Sequence, residues 1–107
     1  MTVKELIDHV DKIRPNKFDF ETKLLWINQV EAKCQSEILR VSVQSIKLLE
    51  GEDDTLTVPF AYIAAYVYYV MAMMDIFGGE FEKYNLSSAA YNAEIKNYAK
   101  WVARGAK

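Results

Sequence analysis

Histidine and cysteine, which often serve as nucleophiles, bases or metal ligands, occur once each in this 107-residue sequence. His9 lies between Asp8 and Asp11, off the apolar stripe of a predicted helix, and is expected at the surface. Cys34 falls on the apolar stripe of the next predicted helix, which indicates a buried, inert thiol rather than a nucleophile. A single cysteine excludes an intramolecular disulfide and a multi-cysteine zinc site.

The carboxylates are arranged no more favourably for catalysis. The acidic turn at 50–54, Glu-Gly-Glu-Asp-Asp, lacks the order of ligands in a calcium-binding EF-hand loop, so we expect a solvated turn. Asp75 ends an apolar segment and has no second polar partner nearby, which favours a structural ion pair or hydrogen bond over a catalytic base. With no Gly-rich phosphate loop, Ser-His-Asp set or Glu-x-x-His pair, the sequence predicts a non-enzyme without catalytic, cofactor-binding or metal-binding residues.

The charge of the chain is nearly balanced overall but unevenly placed. The formal net charge is −2 and the pI is about 5.4, which disfavours sequence-specific nucleic-acid binding. Residues 48–82 hold seven acidic and no basic side chains, whereas residues 83–107 hold five basic and one acidic. One interpretation is complementarity to a helix dipole. The other is attraction between the acidic middle of one copy and the basic tail of another.

The elements that carry these residues are predicted to be helices. Thr2 and Glu5 form a capping box before a helix over 3–14, which Pro15 ends. A second helix runs from Asp19 or Phe20 to about Arg40. Its solvent face is predicted to hold six polar residues: Glu21, Asn28, Glu31, Lys33, Gln35 and Glu37.

Residues 41–58 form an irregular connection, in which 41–43 and 56–58 have the alternation of a short two-stranded β-ribbon. A third helix over 60–77 follows Pro59, and Gly78-Gly79 separates it from a fourth over 80–104. The fourth repeats apolar and aromatic residues every three or four positions. The sequence therefore predicts one domain over 1–107, an all-α, compact four-helix antiparallel bundle.

The third helix is apolar on every side, since 60–74 contains no charged, amide or aliphatic hydroxyl side chain. Its tyrosines and Pro59 argue against a membrane span. A small domain covers such a helix incompletely, so we expect part of it to pack against another copy. The candidate interface combines its aromatic stripe with charged residues elsewhere: Tyr62, Tyr66, Tyr69, Met73, Asp53, Asp54, Lys96, Lys100 and Arg104.

Three segments together resemble the head–tail connector (head completion, adaptor) proteins of tailed phages and prophages. They are Leu-Leu-Trp-Ile-Asn-Gln-Val-Glu at 24–31, Val-Pro-Phe-Ala-Tyr at 58–62, and Gly-Glu-Phe-Glu-Lys-Tyr-Asn at 79–85. Tyr66 and Tyr69 continue the second segment, and Tyr91, Asn92, Tyr98 and Trp101 continue the third. The resemblance covers about residues 20–104.

The resemblance implies a structural virion-assembly protein without catalytic residues. Such adaptors form a ring on the portal protein, extend the channel used in DNA packaging, and meet a tail-completion protein. The expected partners are therefore other copies, the portal and the tail-completion protein, with no membrane. The expected location is the bacterial cytoplasm during assembly and then the virion neck. The alternatives are a small helical regulator that binds a protein as a dimer, and a tail-completion protein.

Overall fold

The computed structural model describes residues 1–105 and is an all-α antiparallel four-helix bundle, as the sequence predicts. Its helices are α1 (Val3–Ile13), α2 (Phe20–Lys33), α3 (Ala64–Phe77) and α4 (Phe81–Ala103). Helix α3 is central and contacts each of the other three, and its contact with α4 is the most extensive. The chain runs up, down, up and down, so the end of α1 and the start of α2 lie beside the turn between α3 and α4.

Polar caps fix where the first two helices begin. The Thr2 side chain accepts a hydrogen bond from the Glu5 backbone, and the Glu5 side chain accepts one from the Thr2 backbone. This is the predicted capping box. Asp19 rather than Thr22 caps α2, because its carboxylate accepts a hydrogen bond from the Thr22 backbone N–H at 2.8 Å.

The predicted second helix changes geometry near its end. After Lys33 the backbone continues as a π-helix, Cys34–Ile38, hereafter the π-turn. Arg40 then adopts a φ of 61°, in the left-handed region. A glycine would occupy that conformation without steric cost, whereas a residue with a Cβ pays about 1–2 kcal/mol.

The connection at 41–58 contains no β-ribbon, so that prediction is wrong. Its regular structure is a 3-10 turn, Val43–Ser45, and a single antiparallel bridge between Thr2 and Thr55. Segment 46–58, hereafter the strap, includes the acidic turn at 50–54 and is bound to α2 at Leu49 and Thr57. Side chains of α2 bind its backbone in place of a second strand, as described below.

The third helix begins with a 3-10 turn, Phe60–Tyr62, before α3 proper. Fully or nearly fully buried α3 residues, including Ala65, Tyr66 and Val70, form the core with α1 and α2. Gly78 and Gly79 end it, and Gly79 has a φ of 73° that requires glycine. Within residues 1–105, Phe60–Phe77 is the one segment long and apolar enough to cross a membrane by length and composition; 39% of it is buried in the bundle.

Candidate functional site

The aromatic stripe predicted to face outward lies mostly against α4 of the same molecule. Tyr62 packs against Tyr98 and Trp101, with ring centroids 5.6 Å away in both cases. Tyr69 packs against Tyr91 at 5.1 Å. Four tyrosines and a tryptophan thus form the α3–α4 contact rather than an intermolecular surface.

The other two residues of the stripe, Tyr66 and Met73, differ in how far they are exposed. Tyr66 is fully buried, with no exposed side-chain surface, so it cannot belong to an interface of the folded protein. Met73 is half-buried in a groove beside Tyr69, Tyr84 and Tyr91. The predicted role of the stripe in assembly is therefore corrected for Tyr66, and only partial exposure remains at Tyr62, Tyr69 and Met73.

Tyr66 belongs instead to a buried polar cluster around Glu31. The carboxylate of Glu31 is fully buried and accepts hydrogen bonds from the hydroxyls of Tyr66 and Thr57, each at 2.5 Å. It also accepts from the Thr57 backbone N–H at 2.8 Å and from Gln35 at 3.2 Å. Four donors thus compensate the desolvation of one carboxylate.

The hydroxyl of Tyr66 connects this cluster to the strap a second time, because it accepts a hydrogen bond from the buried Val58 N–H at 3.2 Å. Burial and the neighbouring Glu31 carboxylate raise the pKa of Tyr66. The phenol therefore stays protonated and keeps donating to Glu31 at neutral pH.

Two amide side chains, Asn28 of α2 and Gln35 of the π-turn, hold the rest of the strap. Asn28 donates to the Leu49 carbonyl at 2.9 Å and accepts from the Leu49 N–H at 2.8 Å. Gln35 does the same with Lys47, at 2.8 and 3.0 Å. Each amide thus imitates one residue of a paired strand. The prediction that Glu31 and Gln35 lie on a solvent face is wrong, since both are buried.

Asp75 has the structural role that the sequence favours. Its buried carboxylate forms an ion pair with Arg14 and accepts a hydrogen bond from the Ser87 hydroxyl at 3.1 Å. Arg14 follows α1 and Ser87 lies on α4, so this cluster joins three helices. Both carboxylate oxygens of Asp75 thus bind groups of the bundle itself, one Arg14 and the other Ser87.

The single histidine and cysteine lie where the sequence places them. His9 is exposed on α1. Cys34 is fully buried, and desolvation raises the pKa of its thiol to about 12. A thiol with that pKa carries almost no thiolate at neutral pH and is a poor nucleophile.

The charged residues of the candidate interface lie in two places, the acidic turn and one exposed face at α4. Asp54 accepts hydrogen bonds from the backbone of Glu50 and Gly51 at 2.6 and 3.1 Å, and these bonds lower its pKa. Asp54 therefore shapes the acidic turn, while Asp53 is exposed. Lys96, Lys100 and Arg104 are exposed along α4, at four-residue spacing that places them on one face.

Six of the large apolar side chains that remain exposed lie at the two ends of the bundle, and Leu25, Leu48 and Leu86 are exposed elsewhere. At the end with the α3–α4 turn, hereafter the Gly78 end, Ile13, Phe77 and Phe81 are 51%, 67% and 63% exposed. At the opposite end, hereafter the Phe60 end, Leu39, Val43 and Phe60 are 38%, 79% and 70% exposed. The sequence analysis missed these two patches because their residues lie at or beside the ends of helices and turns. There the spacing of apolar residues does not show whether a side chain is covered.

A groove of about 410 Å³ lies near the Phe60 end, between the π-turn and the last turns of α4. It is lined by Ile38, Ala99, Val102 and Ala103, with Glu37 and Arg40 as its charged residues. We call it the basic groove after Lys100 and Arg104, which follow its lining residues Ala99 and Ala103 in the sequence, although the charges of its own lining, Glu37 and Arg40, balance each other.

Comparison with protein families, characterised proteins and solved structures finds no match. The function is therefore argued from the surfaces just described.

Proposed function

We propose that this protein is a structural adaptor that joins two different protein partners through the two ends of its bundle. The observation that carries the proposal is the concentration of exposed aromatic and branched side chains at opposite ends. Exposed apolar surface of this kind is typical of protein contacts. Two separate apolar patches at opposite ends suit a protein that links two neighbours better than one that forms a symmetric dimer through one patch.

Together with the resemblance of segments 24–31, 58–62 and 79–85, this arrangement supports a head–tail connector of a phage or prophage. In that role one end meets the portal and the other meets a tail-completion protein. The aromatic contact between α3 and α4 connects the two ends through the body of the bundle. The protein then acts in the bacterial cytoplasm during assembly and in the virion neck afterwards, with α3 as a core helix and not a membrane span.

Co-expression with the portal and tail-completion proteins of the same gene cluster tests this proposal. We expect Phe81→Ser to abolish capture of one partner and Phe60→Ser to abolish capture of the other. Leu48→Ser, which removes a side chain that is 53% exposed on the strap, is the matched control and should retain both. Loss of neither partner, loss of both by each variant, or a gene cluster without portal and capsid genes would contradict the proposal. A stable dimer without portal affinity would favour a regulator instead.

A further inference from the structure

We propose that the strap pairs with an extended, basic segment of a partner protein, which adds to it as a neighbouring β-strand. The hydrogen bonds that hold the strap to the bundle use one side of its backbone at 46–49 and leave the other side unpaired. An unpaired backbone edge is a template for an added strand, and extended peptides bind many proteins in this way. The contact goes beyond the proposed function, because the two ends of the bundle take no part in it.

The direction of the backbone groups at 46–49 follows from the two amides that bind them. Gln35 binds both the N–H and the carbonyl of Lys47, and Asn28 binds both groups of Leu49. In an extended strand the N–H and carbonyl of one residue point to the same side, and those of the next residue point to the opposite side. Lys47 and Leu49 therefore face α2 and the π-turn, and the backbone groups of Leu48 face away.

The backbone groups that face away have no partner in the bundle. Within residues 1–105, no backbone or side-chain group binds the N–H or the carbonyl of Leu48. Ile46 is also extended, which places its carbonyl on the same side, and this carbonyl is unpaired as well. We call these three groups the outer edge of the strap. A partner strand can form a two-bond residue pair with Leu48 and a third bond with Ile46.

A groove beside the outer edge gives an added segment room. Its volume is about 600 Å³, which is typical of binding pockets. It is lined by Leu48 before the acidic turn and by Thr55 after it. The antiparallel bridge between Thr55 and Thr2 uses the backbone of residues 54 and 56, so the N–H and carbonyl of Thr55 face away from that bridge. They too are unpaired within residues 1–105, and unpaired backbone groups thus stand on both arms that border the groove.

The charges around the groove favour a basic segment. Four acidic and two basic side chains lie in it or beside it: Glu50, Glu52, Asp53, Asp54, Lys4 and Lys47. Lysine or arginine residues in the added segment complement this excess of acids, and salt weakens the contact because the charges are exposed. Lys96 and Lys100 belong to α4, so the basic end of a second copy does not supply an extended segment. The occupant is therefore another protein.

A titration followed by nuclear magnetic resonance tests the contact, with the peptide acetyl-Lys-Val-Thr-Val-Thr-Val-Lys-amide as the probe. We expect the largest change of chemical shift at the Leu48 amide, together with slower hydrogen exchange there, because this N–H gains an acceptor. The amides of Lys47 and Leu49 are already bound by side chains and should change little. The same peptide with every backbone amide methylated keeps its side chains and charge but cannot donate, and should not bind.

Proline variants separate the outer edge from the side that holds the strap. Leu48→Pro removes an N–H without a partner, so it should abolish peptide binding and leave the unfolding midpoint nearly unchanged. Leu48→Ala keeps that N–H and should retain most of the binding. Leu49→Pro removes the N–H that Asn28 binds and should lower the midpoint. Glu52→Lys with Asp53→Lys should weaken peptide binding at least several-fold at low salt.

Three results would overturn the inference. They are an unchanged Leu48 amide at millimolar peptide, equal binding of the methylated peptide, and a loss of stability in Leu48→Pro as large as that in Leu49→Pro. Phe60→Ser and Phe81→Ser should bind the peptide like the unmodified chain, because both residues lie at the ends of the bundle. Failure of the strand contact and failure of the proposed function are therefore distinguishable.

Discussion

From the hydrogen bonds around Glu31 we predict that the hydroxyl oxygen of Tyr66 contributes a large part of the stability of this protein. Replacing Tyr66 by phenylalanine keeps the ring in the core and removes only the hydroxyl. The loss deprives the Glu31 carboxylate of a donor at 2.5 Å and leaves the Val58 N–H without its acceptor at 3.2 Å.

The expected magnitude follows from those two losses. A hydrogen bond to a charged group contributes about 1.5–3 kcal/mol, and a buried donor left without a partner costs about 1–3 kcal/mol. Because Glu31 keeps three other donors, we expect Tyr66→Phe to lower the free energy of unfolding by about 2–4 kcal/mol. That is a large share of the roughly 5–15 kcal/mol available to a small domain.

Urea unfolding followed by circular dichroism measures this change, with Tyr69→Phe as the matched control. Tyr69 also loses one hydroxyl, which donates to Gln29 at 2.6 Å, but that bond is exposed. We expect the control to cost less than about 1 kcal/mol with the same dependence on urea. A double-mutant cycle with Glu31→Gln should show that the two residues are strongly coupled. Equal, small losses for both tyrosine variants would refute the account of the buried cluster.

Three further outcomes are expected. Since the pKa of the Cys34 thiol is raised to about 12, the native protein should not react with a disulfide reagent at pH 8; reaction at the rate of free cysteine would show that the thiol is accessible. Gly79→Ala should cost about 1 kcal/mol in urea unfolding because its φ is positive, whereas Gly51→Ala, with open space around it, should stay within about 0.5 kcal/mol; equal losses would contradict this. Hydrogen bonding to Thr22 lowers the pKa of Asp19 below its ordinary 3.8, so its contribution is present above about pH 4 and is lost as pH falls through the lower folded value; Asp19→Asn should therefore flatten the acid limb of stability against pH, and an unchanged limb would exclude this role.

The helices and their caps could be predicted from the sequence because local signals determine them. The Thr2–Glu5 capping box, Pro15 and the Gly78-Gly79 break each act within one turn of the chain. The apolar stripes then give the antiparallel bundle, since short joins bring consecutive helices together.

The orientation of the aromatic stripe could not be derived from α3 alone. A stripe of tyrosines can pack against a neighbouring helix as well as against another molecule. Helix α4 carries the tyrosines and Trp101 that pack against it. The short join at Gly78-Gly79 makes α4 the adjacent partner of α3, so an intramolecular contact covers most of the stripe. The pairing of two aromatic stripes across that join was the available signal for this outcome.

Two polar residues of the predicted second helix, Glu31 and Gln35, were misplaced for a related reason. Asn28, Glu31 and Gln35 are spaced by three and four, which defines one face of a helix, and polarity alone predicts that this face meets water. A long irregular segment follows, and its backbone N–H and C=O groups need partners once it packs on the bundle. The two facts together indicate that this polar face forms hydrogen bonds with the backbone of the strap.

Several positions where this chain departs from local preference lie at the ends of the bundle. Arg40 adopts a backbone conformation that glycine favours. Phe60 and Phe81 expose aromatic rings at the starts of helical segments, where polar residues would fit equally well. The interior, by contrast, obeys the rules closely: within residues 1–105 every buried side-chain polar atom has a hydrogen-bond partner. Departures that cost stability and bring no internal contact are expected at functional surfaces. The ends of the bundle are therefore the places where substitutions should alter assembly while leaving the fold intact.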